Sequence, residues 1–283
     1  MSELLACLVN GIDTDLVSSR DRGLHYGDGL FETVAVADGA PLQWGRHLKR
    51  LSDGAARLGM TLPSVDRLHA EAQRLCAGRR RAVLKLIVTR GIAGRGYAAA
   101  PDGEPTRVLS LYRWPDYPLE YREQGIAVRI CRTRLGHNPA LAGIKHLNRL
   151  EQVLARSELS GPHVEGLMLD EDDRVIEGTM SNLFAVIDGV LTTPDLTRCG
   201  IAGVMRELII EQARDILGGC RVQPMSRTEL LQATEVFLSN SLIGIWPVRR
   251  IDGAFSQGDV RHYPAGPITR QMKLCIAADV PPP

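Results

Sequence analysis

Alternating apolar and polar residues closed by tight-turn dipeptides open the chain. Leu4–Val9 runs into Asn10-Gly11 and Leu30–Val36 into Asp38-Gly39, pairs that tolerate positive φ and favour hairpin turns. The spacing then changes. Leu48, Leu51, Ala55 and Leu58 recur at three- and four-residue steps and predict a helix ending near Gly59. A second helix is predicted from a Ser64 cap through Val65, Leu68, Ala72 and Leu75 to Gly78. Ala82–Thr89 and Thr106–Tyr112 read as strands separated by a loop, Arg90–Pro105. Residues 1–114 therefore form a small N-terminal α+β domain.

Pro115 and Pro118 interrupt the pattern, which makes 115–122, within Trp114–Arg122, the expected linker to a larger C-terminal domain, 123–283. That half opens with a strand, Ile126–Arg132. A helix is expected after Lys145, with apolar Leu147, Leu150, Val153 and Leu154 on one side. Strands follow at Gly166–Leu169, Asn182–Ile187 and Val190–Thr193, with Asp188-Gly189 as a hairpin turn. Ile201–Leu217 reads as an amphipathic helix closed by Gly218-Gly219, Val236–Ser239 as a buried strand and Pro267–Ala277 as a last helix. The Pro281–Pro283 tail is expected to fray.

Composition narrows the chemistry. The chain has 283 residues, 44% hydrophobic and 24% charged, an ordinary globular balance. A net charge of +1 and 5% aromatic residues give no general affinity for nucleic acid or an anionic membrane. No apolar run is long enough to span a bilayer, and the short N-terminal run Leu4–Val9 does not make a signal peptide. Six cysteines, each more than twenty residues from the next, form no C-x-x-C pair, as expected of a reduced, cytoplasmic protein. The seven histidines are dispersed, so no metal site is expected. The phosphate-loop and G-x-S-x-G motifs are absent, and Gly91–Gly96 is wrongly spaced for a dinucleotide fingerprint and reads as a flexible loop.

Only four of the 34 basic residues are lysines: Lys49, Lys85, Lys145 and Lys273. Chemistry that needs a primary amine has these four candidates. Lys49 sits among helical arginines, Lys85 shares a strand face with Val83 and Ile87, and Lys273 complements the C-terminal end of the last helix. Spacing does not choose among them.

Motif context does. A-G-I-K-H-L-N-R-L-E-Q-V (142–153) resembles the lysine motif of the 4-amino-4-deoxychorismate lyases, fold-type IV pyridoxal-phosphate enzymes of the branched-chain and D-amino acid aminotransferase superfamily. The resemblance extends in order along the chain. It includes D-R-G-L-H-Y-G-D-G-L-F-E-T (21–33), H-L-K-R-L (47–51), V-T-R-G-I-A-G-R-G-Y (88–97), I-E-G-T-M-S-N-L-F (176–184), G-I-A-G-V-M-R (200–206) and E-V-F-L-S-N-S (235–241). It implies a two-domain α/β (α+β) fold with the active site between the domains, a homodimer and pyridoxal 5'-phosphate as cofactor.

The resemblance also implies roles. Lys145 is the residue that holds the cofactor covalently and then acts as general base. Glu177 is the carboxylate at the pyridine nitrogen. Arg50, the backbone at Gly203, Val204 and Met205, and Ser241 are the phosphate contacts. Arg107, and after it Arg95, are candidates for the carboxylates of a dianionic substrate. Glu32 and Arg149 fall near the cofactor without an assigned role. The implied reaction converts 4-amino-4-deoxychorismate to 4-aminobenzoate and pyruvate, a step of folate biosynthesis. An aminotransferase for branched-chain or D-amino acids would share most of these residues. A cofactor-free binding protein on the same scaffold would not need them.

Overall fold

The computed structural model describes residues 3–98, 103–253 and 259–280, which form two compact units. The Pro281–Pro283 tail lies outside the described residues. The first unit comprises residues 1–116 together with Ile144–Asn148 and is built on one antiparallel sheet. Its strands are β1 (Leu4–Val9), β2 (Ile12–Asp13), β3 (Gly29–Ala37), β4 (Ala40–Pro41), β5 (Arg81–Thr89) and β6 (Thr106–Arg113), in the order β2-β1-β6-β5-β3-β4. Asn10-Gly11 and Asp38-Gly39 adopt the expected positive φ, at 53° and 84° and at 47° and 82°.

Helix α1 (Arg22–Tyr26) precedes β3, and α2 (Trp44–Leu58) and α3 (Val65–Cys76) follow it. Gly59 ends α2 in the left-handed conformation, and Ser64 caps α3 by accepting from Arg67 N–H. Alternation along β3 turns Leu30, Val34 and Val36 into the core, where they meet Leu51 and Ala55 of α2 and Leu68 and Ala72 of α3. Glu32 shares that buried face.

The lysine segment differs from expectation. Ile144–Asn148 is extended backbone of the first unit, whereas the flanking residues belong to the second. Phe31 N–H donates to Lys145 C=O at 3.0 Å and Leu147 N–H to Gly29 C=O at 3.0 Å, so the segment adds a short rung to the edge of β3. Ile144 is buried in the first unit's core.

The second unit comprises Tyr117–Gly143 and most of 149–281. Its helices are α4 (Leu119–Glu123), α5 (Leu150–Ser157), α6 (Val204–Leu217), α7 (Arg227–Gln232) and α8 (Pro267–Cys275). Its strands are β7 (Ile126–Leu135), β8 (His163–Asp170), β9 (Val175–Gly178), β10 (Asn182–Ile187), β11 (Val190–Pro194), β12 (Arg221–Gln223), β13 (Glu235–Asn240), β14 (Gly244–Asp252) and β15 (Val260–His262). They run β12-β11-β10-β13-β14-β7-β8-β9, with β15 on β14. β9 returns to β10 through Glu177 opposite Asn182, so the path from β10 round to β9 closes on itself. The central strands are buried on both faces. Leu183 and Ala185 of β10 pack with Leu238, Val248 and Trp246, while Phe184 and Val186 pack with Met205, Leu208 and Ile209 of α6.

Three sequence expectations need correction here. The stretch expected as linker contains α4, and Tyr117 and Tyr121 set their rings edge-on against Trp246 at 4.9 and 5.3 Å, so aromatic packing fixes it. Helix α6 starts at Val204, three residues late, because Gly143 bridges to Ile201 and holds 200–202 extended. The helix after Lys145 starts at Leu150, and its buried residues are Gln152 and Ala155. The apolar side formed by Leu150, Val153 and Leu154 is 76%, 61% and 58% exposed at these residues.

Candidate active site

In the first unit, Lys145 brings its Nζ to 4.3 Å from the centroid of the Phe31 ring. The ring presents its π face to the amine, and the rung on β3 fixes the backbone beneath both residues. On the buried face of β3, Glu32 is gripped from α2. His47 Nδ1 lies 2.7 Å from Glu32 Oε2, and Arg50 donates from Nε to Oε1 at 2.8 Å and from Nη2 to Oε2. His47 and Arg50 are three residues apart, which puts both on one helix face. Burial works against ionisation of Glu32, but the Arg50 charge and the His47 hydrogen bond outweigh it and hold the carboxyl at about 2. Burial also lowers His47, against the pull of Glu32, and the charges of Arg50 and Lys145 push the same way. Glu32 thus has a role that its sequence position did not reveal: it fixes the Arg50 guanidinium.

Lys85 joins this group from β5. Its Nζ lies 5.6 Å from the centroid of the same Phe31 ring. Sequence reasoning missed it because a lysine among strand apolars reads as a half-buried solvated residue. The available signal was register: Lys85 pairs with Thr33, two residues beyond Phe31 on the same face of β3.

The other two lysines stand apart. Lys49 pairs with Asp53 on the exposed face of α2, and Lys273 donates to Arg122 C=O.

Arg107 is placed elsewhere. Its Nε and Nη2 clasp both carboxylate oxygens of Glu71 at 2.7–3.0 Å, and its backbone N–H donates to Asn10 Oδ1. It lies on β6, with β5 and β3 between it and the lysine rung, three strand spacings or about 14 Å away. Its bidentate partner already uses the fork that a substrate carboxylate would need. Arg95 is exposed. Its loop, read from sequence as flexible, is fastened by Arg22, whose guanidinium donates to the carbonyls of Gly96 and Tyr97, both at 3.0 Å, and to Asp28.

In the second unit, Glu177 is 3% exposed on β9 and accepts from Ile201 N–H at 2.8 Å. Gly200 makes this approach possible, since it has φ +86° and a Cβ there would lie 2.8 Å from the Ile176 and Leu196 side chains. Burial lowers Arg149, opposed first by the charge of Glu177 and then by that of Glu151.

Gly203 caps α6 and puts the first-turn N–H groups of Val204 and Met205 at a helix start, where no preceding turn supplies acceptors. A Cβ on Gly203 would stand 2.0 Å from Asn182 Oδ1. Asn182, in a recognised motif but with no role assigned from sequence, ties these parts together. It pairs with Glu177 and with Ser239 in the sheet, and its Nδ2 donates to Ile201 C=O at 2.8 Å. Two residues past Ser239, Ser241 occupies the turn into β14, which Asn240 shapes by accepting from Leu242 and Ile243 N–H. The structure thus gathers Lys145 and Arg50 in one unit. Glu177, the start of α6 and Ser241 border the same strands in the other.

Each unit holds groups suited to an aldehyde cofactor with a ring nitrogen and a phosphate: in the first an amine over an aromatic ring, in the second a buried carboxylate that can accept and the N–H donors of a glycine-started helix. Similarity to known proteins points the same way. The model for the amino-transferase class IV family matches residues 29–251. The chain belongs to this family. Within class IV it is 35% identical over 266 residues to the aminodeoxychorismate lyase of Vibrio harveyi, covering 94% of this chain and 97% of that one. The crystal structure of 4-amino-4-deoxychorismate lyase from Pseudomonas aeruginosa superposes with a TM-score of 0.90 at 48% identity, over 96% and 98% of the two chains. The Escherichia coli branched-chain amino acid aminotransferase superposes with a TM-score of 0.81 at 27% identity, over 98% and 94% of the two chains.

Proposed function

We propose that the protein is a pyridoxal-phosphate-dependent lyase that converts 4-amino-4-deoxychorismate to 4-aminobenzoate and pyruvate, and so serves folate biosynthesis. The observation that carries this reading is the setting of Lys145, an amine held over Phe31 on a rung of β3, in a chain 48% identical to a lyase of that name over nearly its whole length.

Bound pyridoxal phosphate supplies an electron sink for the substrate's amine-bearing carbon. Lys145 Nζ would hold it, and the same amine would take the proton from that ring carbon. Glu177, steadied by Ile201 N–H, keeps a proton on the pyridine nitrogen. Arg50, held in plane by Glu32, and the N–H groups of Val204 and Met205 bind the phosphate, with Ser241 adding a hydroxyl. Departure of the enolpyruvyl group leaves an aromatic ring, which makes the elimination favourable. With Arg107 committed to Glu71, Lys85 and Arg95 are the cations we assign to the substrate carboxylates.

A homodimer is part of this proposal. Leu150, Val153 and Leu154 make an exposed apolar strip on α5 that a second copy would cover. The six cysteines carry free thiols, the state kept in the cytoplasm, where we place the enzyme. Among the described residues no helix is long and apolar enough to cross a membrane.

Purified protein given 4-amino-4-deoxychorismate should release pyruvate and 4-aminobenzoate in equal amounts. Borohydride should fix the chromophore to the peptide containing Lys145. Amino-group exchange with 2-oxoglutarate and no pyruvate release would instead establish the aminotransferase reading.

A further inference from the structure

At the end of β8, in the second unit, three donor atoms of different chemistry converge. His137, Asp170 and Cys199 each contribute one, all within 4.8 Å of one another, with Asp170 and Cys199 buried and His137 half-buried. They come from three separate stretches of chain: the segment leaving β7, the last residue of β8 and the loop before α6. Sequence spacing therefore gave no sign of them. None has a part in the reaction proposed above. We propose that His137, Asp170 and Cys199 bind a divalent transition-metal ion of the zinc class.

An imidazole nitrogen, a carboxylate oxygen and a thiolate form a set that suits zinc in tetrahedral geometry and poorly suits magnesium or calcium, which prefer oxygen. His137 Nε2 and Asp170 Oδ2 are already 2.9 Å apart. Metal–ligand bonds of about 2.0–2.3 Å place tetrahedral ligands about 3.3–3.8 Å from each other, so only small side-chain adjustments are needed. Asp170 Oδ1 accepts from the backbone N–H of Asp172 and Arg174, which fixes the carboxylate. Glu171 is exposed, with Oε2 3.8 Å from His137 Nδ1, and Asp170, Glu171, Asp172 and Asp173 are consecutive. Their charge favours a cation, opposed by Arg198, which is paired with Asp172.

The proton balance is simple. Without metal, Arg198 Nη2 donates to His137 Nδ1 at 2.9 Å, so the neutral ring carries its proton on Nε2 and gives it to Asp170. A metal bond at Nε2 shifts that proton to Nδ1, where Glu171 accepts it in the outer-shell arrangement common to metal-bound histidines. Arg198 then keeps Asp172 alone. Cys199 binds a metal as its thiolate, so its thiol proton is released to water when the ion binds. Cys199 is two residues before Ile201, whose N–H holds Glu177, so the ion braces that loop.

The test is a cobalt titration of metal-free holoenzyme, read at the visible bands of tetrahedral Co2+, which lie to the red of the pyridoxal chromophore. We expect one equivalent bound, intense bands and displacement by Zn2+. Cys199→Ser and His137→Gln should each weaken binding by about tenfold or more, while Cys220→Ser and Cys275→Ser leave it unchanged. Absence of tetrahedral bands, or bands that persist in Cys199→Ser, overturns the proposal and leaves His137–Asp170 as a loop fastener. Circular dichroism of the pyridoxal band checks that each variant is folded; should Cys199→Ser fail this check, persistence or loss of the bands in His137→Gln decides. Because the readout is metal binding, it stands whether or not the lyase reaction is observed.

Discussion

Glu32 carries three polar contacts in a fully buried position, and removing its charge should be felt in two ways. Its folded value of about 2 lies below the ordinary 4.5. A depressed carboxylate contributes its full stabilisation above pH 4.5 and loses it as pH falls toward 2. Urea midpoints of the wild type measured across that window should fall with acid, and Glu32→Gln should lack this component. The variant should also bind pyridoxal phosphate less tightly, because Arg50 loses the carboxylate that orients it. Lys85 tests a different contact. If its ammonium grips a substrate carboxylate equally in ground and transition states, Lys85→Met should raise KM about tenfold or more with kcat little changed, whereas Lys145→Ala should abolish turnover. An unchanged KM in steady-state kinetics would remove Lys85 from the site. At this scale, Lys145 and Arg50 are proposed from motif context, and the structure describes both in the first unit. The pairing of Arg107 with Glu71 of α3 was not legible, because a bidentate pair between distant segments leaves no local pattern.

Helix α6 shows how one atom can set an element's function. A Cβ on Gly203 would displace Asn182, which holds the Ile201 carbonyl, and so disturb Ile201, whose N–H donates to Glu177. Gly203→Ala should therefore weaken pyridoxal-phosphate affinity about tenfold or more, measurable by fluorescence titration, without loss of α6 helicity. Most elements were readable, because caps such as Ser64 and stops such as Gly59 and Gly218 act locally. Helix starts were less so. The delay of α6 to Val204 depends on backbone pairing with Gly143, which no window around residue 201 contains. β9 and β14 went unread for a related reason: strand identity there depends on neighbours supplied by the closed sheet path.

For the whole molecule, the apolar strip of α5 matters most. Apolar periodicity reports that one face of α5 is apolar but not what covers it, and Leu150, Val153 and Leu154 are open on the single chain. Replacing Leu150 and Val153 together by Asp should convert the proposed dimer to monomer in light scattering, with thermal stability of the monomeric form little altered. A dimer that survives both charges would place the interface elsewhere. The two-part organisation was legible from Pro115 and Pro118. The crossing of Ile144–Asn148 into the first unit was not, because it depends on a rung paired across more than a hundred residues.

That rung also sets a timetable for synthesis. Phe31 is made 114 residues before Lys145, so one edge of β3 waits for its partner while the ribosome adds them. At about 5–20 residues per second the wait is roughly 6 to 23 seconds. During that time an unpaired strand edge, the kind of surface on which chains aggregate, is exposed. The segment carrying the residue to which we assign the chemistry thus also closes the nascent sheet, and a newly made chain has Lys145 in place only once that edge is sealed.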